Sequence, residues 1–194
     1  MAGVVLCGGR SRRMGRDKAL LPVGDPAQPL VAHVASGLRR VADPVFVAPG
    51  RAGRLGPLPY PELDDEGEDL GPLGGIAAAL AASPHEVMAV VAVDMPFVNP
   101  AVFDLLARTR ADEDAVVPET SDGLQPLHAL FATEALLAVR AALADGRLSV
   151  LDLLGRLSVR VVGPRDWGSV DPEGRFAMNL NEPADLAAVR PRPR

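Results

Sequence analysis

Short, unbroken apolar runs punctuate the chain, each bounded by turn-forming residues: Gly3 to Cys7, Val45 to Ala48, Val87 to Val93 and Ala115 to Val117. A strand with one wet face alternates apolar and polar residues, whereas continuous runs suit strands covered on both faces, the usual setting of a parallel sheet. Between these runs the period changes. In PLVAHVASGLRRVA the apolar positions Leu30, Val31, Val34, Leu38 and Val41 recur at helical spacing. GGIAAALAAS and PAVFDLLART behave alike, with Pro72 and Pro100 near their starts, where a missing N–H leaves no bond unmade. Strand and helix alternate, which predicts an α/β fold: a mostly parallel sheet, helices on both faces and right-handed crossovers.

The second half is less regular. LHALFA reads as a strand, after which Thr133 is expected to cap a helix running through Ala144. Ser149 and Asp152 have the spacing of a capping box. Ser158 to Val162 reads as another strand, and FAMNLNEPADLAAV as a final short strand with a helix starting near Pro183. The closing RPRPR is expected to be a disordered tail. At 194 residues the chain suits one domain, placed at 1–190 with residues 191–194 as the tail.

Composition narrows the partners. A net charge of -5 argues against nucleic acid or an anionic membrane, both of which call for a broad basic surface. The one basic cluster, Arg10, Arg12, Arg13, Arg16 and Lys18, is local. A lone Cys7 excludes an internal disulfide and a cysteine zinc site, and His33, His85 and His128 lack ligand spacing. No apolar run approaches a membrane span, and the opening run lacks the basic flank and cleavage site of a secretory leader. A cytoplasmic location is the expectation.

Chemistry concentrates where the first strand ends. Gly8-Gly9 follow it at once, at the carboxyl edge where open α/β sheets bind ligands. Glycines let backbone N–H groups approach an anion, and Arg13 and Lys18 add charge to the same concavity. A phosphate chain is the simplest target; a solvated basic loop is the plainer alternative. Gly15 is followed by Arg16, so the Gly-Lys-Ser/Thr end of a P-loop is missing, and Gly8-Gly9-Arg10 is not a G-x-G-x-x-G turn. Asp94 likewise follows a fully apolar strand, in VVAVDMPF, so its carboxylate emerges at the same edge. There it suits Mg²⁺, which takes few carboxylates and fills its shell from phosphates and water. Capping a following turn is the alternative for Asp94.

Leu6-Cys7-Gly8-Gly9-Arg10-Ser11-Arg12-Arg13-Met14-Gly15-Arg16-Asp17-Lys18-Ala19 resembles the signature of the molybdenum cofactor guanylyltransferases, in the wider nucleotidyltransferase superfamily. Cys7 stands where that family usually has Ala, and its small apolar side chain reads as packing. The resemblance extends over nearly the whole chain, through LDDEGEDLGPLGGI, VVAVDMPF, GLQPLHALF and the Asn179-Leu180-Asn181 element before Glu182-Pro183.

The resemblance implies a Rossmann-like fold of the nucleotide-diphospho-sugar transferase type and Mg²⁺-dependent transfer of GMP from GTP to molybdopterin or its molybdenum-bearing form. It implies that Leu6, Cys7, Gly8, Gly9, Lys18, Asp64 and Asp94 bind the nucleotide, with Asp94 on the metal and Lys18, Asp94 and Arg13 carrying catalysis. Gln125, His128, Asn179 and Asn181 become candidate acceptor contacts. His128 equally suits a core histidine within its strand, and Asn181 suits a helix cap. Asp65, Glu66, Glu68 and Asp69 read as a solvated acidic loop. Family members often carry Asn at the position of Ala48, so base recognition here falls to other groups, backbone carbonyls or Asp64. The implied partners are GTP and molybdopterin, with transient contacts to other cofactor-biosynthesis proteins or recipient molybdoenzymes. Two rivals stand beside this reading: a cytidylyltransferase using CTP, whose relatives tend to show L-A-A-G at Leu6 to Gly9, and a non-catalytic nucleotide-binding adaptor. The adaptor has no need of both Lys18 and Asp94.

Overall fold

The opening apolar run becomes β1, Ala2–Leu6, an interior strand buried along its whole length. In the computed structural model, which describes residues 1–8, 17–24, 26–181, 185 and 189, a small hairpin of β2 (Pro22–Val23) and β3 (Gln28–Pro29) leads into α1, Leu30–Leu38. Then come β4 (Val45–Gly50), β5 (Glu62–Asp64), α2 (Gly71–Ala82), β6 (Val87–Ala92) and α3 (Pro100–Thr109). The second half holds β7 (Ala115–Thr120), β8 (Gly123–Leu124), β9 (His128–Ala132), α4 (Leu136–Ala144), α5 (Val150–Leu154), β10 (Val159–Val162) and α6 (Pro164–Trp167).

These strands form one sheet in the order β10-β7-β9-β6-β1-β4-β5, with β8 paired to β7. β5, β4, β1 and β6 are parallel neighbours, β10 is parallel to β7, and β9 runs antiparallel between β6 and β7. A parallel return needs a crossover of a dozen or more residues. The link from β7 to β9 holds only the β8 hairpin, so the chain turns straight back. Two cores cover the two faces. Val5 of β1 packs with Val31, Leu38 and Phe103 from α1 and α3, whereas Val4 packs with Leu73, Ile76 and Val139 from α2 and α4. The mostly parallel sheet with helices on both faces is therefore as expected.

Several local expectations change. α2 starts at Gly71, three residues before the apolar run, with Pro72 in its first turn. Thr133 caps no helix: it opens a 3-10 turn, Thr133–Ala135, and its hydroxyl donates to the Glu86 carbonyl at 3.3 Å. Ser149 does cap α5, accepting from the Asp152 N–H at 3.2 Å. FAMNLN forms no strand among the described residues; a 3-10 turn, Arg175–Ala177, stands there because Asp171 accepts from the Phe176 N–H at 2.9 Å. The helix expected near Pro183 and the RPRPR tail lie outside the described residues.

Candidate active site

Parallel strands put their carboxyl ends on one edge, and there β1, β4 and β6 end around a cleft of about 160 Å³. Leu6, Ala48 and Ala92 come from the strand ends, Gly71, Pro72 and Gly75 from the first turns of α2. Gly8, Asp65 and Asp94 bring the polar chemistry. A Cβ built at Gly8 would meet no described residue within 4 Å.

Asp94 lies two residues past β6 and is fixed through its backbone, whose carbonyl accepts from the Leu180 N–H at 2.8 Å. Its Oδ2 meets Lys18 Nζ at 3.3 Å, and the lysine side chain is only 13% exposed. That degree of burial takes the ammonium out of the class of solvated surface lysines. Lys18 opens a 3-10 turn, Lys18–Leu20, capped by the Asp17 carboxylate, which accepts from the Ala19 N–H at 3.1 Å. The first strand and the segment after the glycine loop thus converge on Asp94. Its donor set suits a hard cation: a carboxylate oxygen facing a cleft open to phosphates and water. Among the described residues no group of three or more His, Cys, Asp or Glu side chains gathers to cage a metal by itself.

Asp65, read from sequence as part of a solvated acidic loop, is half-buried in the cleft wall. Gly50, in the left-handed conformation at φ 85°, turns the chain after β4, and its carbonyl accepts from the Asp65 N–H at 3.2 Å. The carboxylate then lies against α2 so closely that a Cβ at Gly74 would stand 2.9 Å from Oδ2. Oδ1 is buried without a hydrogen-bond partner among the described residues. Burial, helped by the neighbouring Asp64 charge, pushes its pKa up to about 6. Gly75 is equally constrained, since a Cβ there would stand 2.9 Å from Leu6 and 3.1 Å from Ala48. Asp64, the expected nucleotide contact, ends β5 exposed, accepting from the Ala52 N–H at 2.6 Å. It does not line the cleft; its neighbour does. Glu66 is likewise engaged, with Arg140 donating to Glu66 and holding its carboxyl below the usual range.

The acceptor candidates separate. Asn179 and Asn181 are exposed on either side of Leu180, whose N–H donates to the Asp94 carbonyl. Gln125 is turned into the β7–β8 hairpin, where its amide donates to Thr120 Oγ1 at 3.0 Å and the Gly123 carbonyl at 3.1 Å. His128 is completely buried, stacked on Phe103 at 4.5 Å and tilted against Phe176 at 5.0 Å. It belongs to the core and is not among the residues that line this cleft. Leu6 and Gly8 line the cleft, and Cys7 points its thiol into the core, where the Sγ–H donates to the Val5 carbonyl at 3.5 Å and burial pushes the thiol pKa up. Gly9 and Arg13 lie outside the described residues.

His128 and Asp65 make opposite pH dependences. Burial pushes the imidazole down to about 3 from 6.5, so below pH 6.5 the unfolded chain takes up the proton first and stability falls. The slope is about 1.4 kcal/mol per pH unit, hence about 2 kcal/mol lost by pH 5. Asp65 works the other way: with its folded pKa raised from 3.8 to about 6, the folded state takes the proton first and gains stability as pH falls through 6. Solvent contact reduces that gain to about 1 kcal/mol. His128→Phe should therefore lose roughly 4–8 °C less in Tm than wild type between pH 7 and 5. Asp65→Asn should melt higher than wild type at pH 7.5 and lose more on acidification. Thermal melts across this range check both; parallel curves for all three proteins would remove these two groups from the acid response.

Gly8, the part-buried Lys18 and Asp94, gathered at the carboxyl edge of a mostly parallel sheet, suit a nucleotidyltransferase. The chain belongs to the MobA-like NTP transferase family, whose model matches residues 3–161, and is an enzyme of the nucleotidyltransferase class. It is 36% identical over 192 residues to a protein of Pelotomaculum thermopropionicum named probable molybdenum cofactor guanylyltransferase, covering 97% of this chain and 91% of that one. A protein of the same name from Mycobacterium avium is 35% identical over 201 residues, with 97% and 94% covered. The structure of molybdopterin-guanine dinucleotide biosynthesis protein A from Archaeoglobus fulgidus superposes with a TM-score of 0.84 at 26% identity, covering 98% of this chain and 97% of that one. The 2-C-methyl-D-erythritol 4-phosphate cytidylyltransferase of Thermus thermophilus, at 19% identity and a TM-score of 0.69 over 96% and 95% of the two chains, shares the fold. No helix among the described residues is long and apolar enough to cross a membrane.

Proposed function

We propose that this protein transfers GMP from GTP to molybdopterin or its molybdenum-bearing form, releasing pyrophosphate. The observation that carries the reading is the Lys18–Asp94 pair, set at the carboxyl edge of the sheet beside Gly8. The relatives named above support the choice of acceptor and base.

In this reading the Gly8 N–H and Lys18 hold the triphosphate, and Arg13 adds charge from within the loop. Asp94 would hold Mg²⁺, which would supply positive charge to offset the negative charge of the phosphate-bearing reactants. Without nucleotide the Lys18 ammonium neutralises Asp94; with a cation and triphosphate present it turns to the phosphates. Asn179 and Asn181 orient the acceptor, whose terminal phosphate oxygen attacks the α-phosphorus as the bond to the pyrophosphate oxygen breaks. That oxygen is already anionic, so positioning and charge carry the rate without a strong general base. Asp65 joins Asp64 as a candidate base reader: its carboxylate lines the cleft and can accept from the guanine N1–H and N2–H₂ groups, across a wall that Ala48 leaves apolar.

Ligand-dependent melting tests the base. A ligand at a hundred times its Kd adds about 2.7 kcal/mol, and a domain of this size shifts by roughly 2–4 °C per kcal/mol. With Mg²⁺, GTP should raise Tm by several degrees and CTP by far less at equal concentration. Equal or reversed shifts would sink the guanylyl assignment in favour of a cytidylyl or unselective transferase.

A further inference from the structure

Nine residues separate Gly8 from Lys18, and one side chain from elsewhere in the chain grips both ends of that excursion. Arg54, in the loop between β4 and β5, donates from Nη2 to the Cys7 carbonyl at 2.6 Å and from Nε to the Pro49 carbonyl at 2.8 Å. Its Nη1 pairs with Asp17 Oδ2. The other oxygen of Asp17 caps the turn that begins with Lys18. The guanidinium therefore joins three segments: the end of β1 just before Gly8, the end of β4, and the start of the turn carrying Lys18. Side-chain exposures of 29% for Arg54 and 27% for Asp17 set this pair apart from a solvated surface contact. Only a planar fork reaches acceptors in three directions at once; a lysine is a single point charge.

We infer that Arg54 is a positioning residue that fixes the spacing between the two ends of the glycine-rich loop, and thereby where the Gly8 N–H and Lys18 meet a phosphate chain. This rests on the reading of Gly8 and Lys18 as the triphosphate grip. It does not depend on which base is bound or on the acceptor. Arg54 acts on ligand through Asp17 and Cys7. Its loss should therefore weaken triphosphate binding as such and leave base preference and the KM for the acceptor unchanged.

Calorimetric titration with inorganic tripolyphosphate, GTP and CTP, each with Mg²⁺, tests this on the full chain. Arg54→Ala should weaken all three by roughly ten-fold, as expected for a lost charge-assisted bond that preorganises a site. Asp17→Asn should weaken them comparably, and the double variant should be no worse than Arg54→Ala alone. Arg54→Lys, which keeps the charge without the fork, should show the same loss in a protein that melts like wild type, and so stands in where the alanine variant does not fold. Wild-type affinity in Arg54→Lys, or fully additive losses in the Arg54→Ala, Asp17→Asn pair, would overturn the inference. Tighter binding of CTP than GTP, with the Arg54 effect intact, would remove the guanylyl reading and support the positioning role.

Discussion

Asp94→Asn is expected to yield a folded protein that has lost about 10²–10³ in turnover, the usual cost of one preorganised electrostatic contact at a reacting phosphate. The substitution keeps the shape of the side chain. It also keeps the backbone bond from Leu180, so the loop after β6 should stand as before. What disappears is the charge that balances Lys18 in the free protein and that, in the proposed mechanism, would hold a cation against the anionic reactants. A cation that also orients both reactants makes the loss larger. Raised Mg²⁺ should restore part of the rate, because the amide oxygen still offers one weak ligand. Pyrophosphate release from GTP, with molybdopterin present and Mg²⁺ varied, measures this. A variant within a few-fold of wild type would reduce Asp94 to a turn cap, since Asn caps about as well as Asp.

Lys18→Ala should act mainly on the nucleotide. Hydrogen bonds to charged groups contribute about 1.5–3 kcal/mol, so GTP affinity should fall by roughly ten- to a hundred-fold, with a further loss in turnover if the ammonium follows charge onto the departing pyrophosphate. The variant also strips Asp94 of its cation, which separates Lys18 from an ordinary surface lysine. Equilibrium GTP binding and single-turnover rates with saturating GTP divide the two effects. Unchanged affinity and unchanged rate together would return the basic cluster to a solvated loop.

How much of this was readable from residue order depends on which signal each element carries. β1, β4, β6 and β7 were legible because strands covered on both faces leave unbroken apolar runs. β5 was not. It is three residues, Glu62–Asp64, held as an edge strand by pairing with β4 across a register shift between Val47 and Gly50. Without that end, Asp65 reads as part of a solvated loop, although it lines the cleft next to Asp64. The rule that located Asp94, a carboxylate just past a strand end, would have found Asp65 had that end been known. Gly50 and the paired Gly74-Gly75, which let the carboxylate nest against α2, were the remaining signals. His128 shows a different limit. Every residue of β9 is buried, so no alternation told which face the ring would take, and only the Phe103 and Phe176 contacts place it in the core. Arg54 is far in sequence from both loop ends it binds, and no local pattern marks it.

The central claim is the identity of the transferred nucleotide and its acceptor. It is tested most directly by incubating the enzyme with Mg²⁺, molybdopterin and GTP or CTP in parallel and weighing the product. A new species heavier than molybdopterin by one GMP residue is expected in the GTP arm, formed with one pyrophosphate and about 10²–10³-fold more slowly in the Asp94→Asn variant. A cytidylyl product, or nucleotide binding with no dinucleotide in either arm, would contradict that claim.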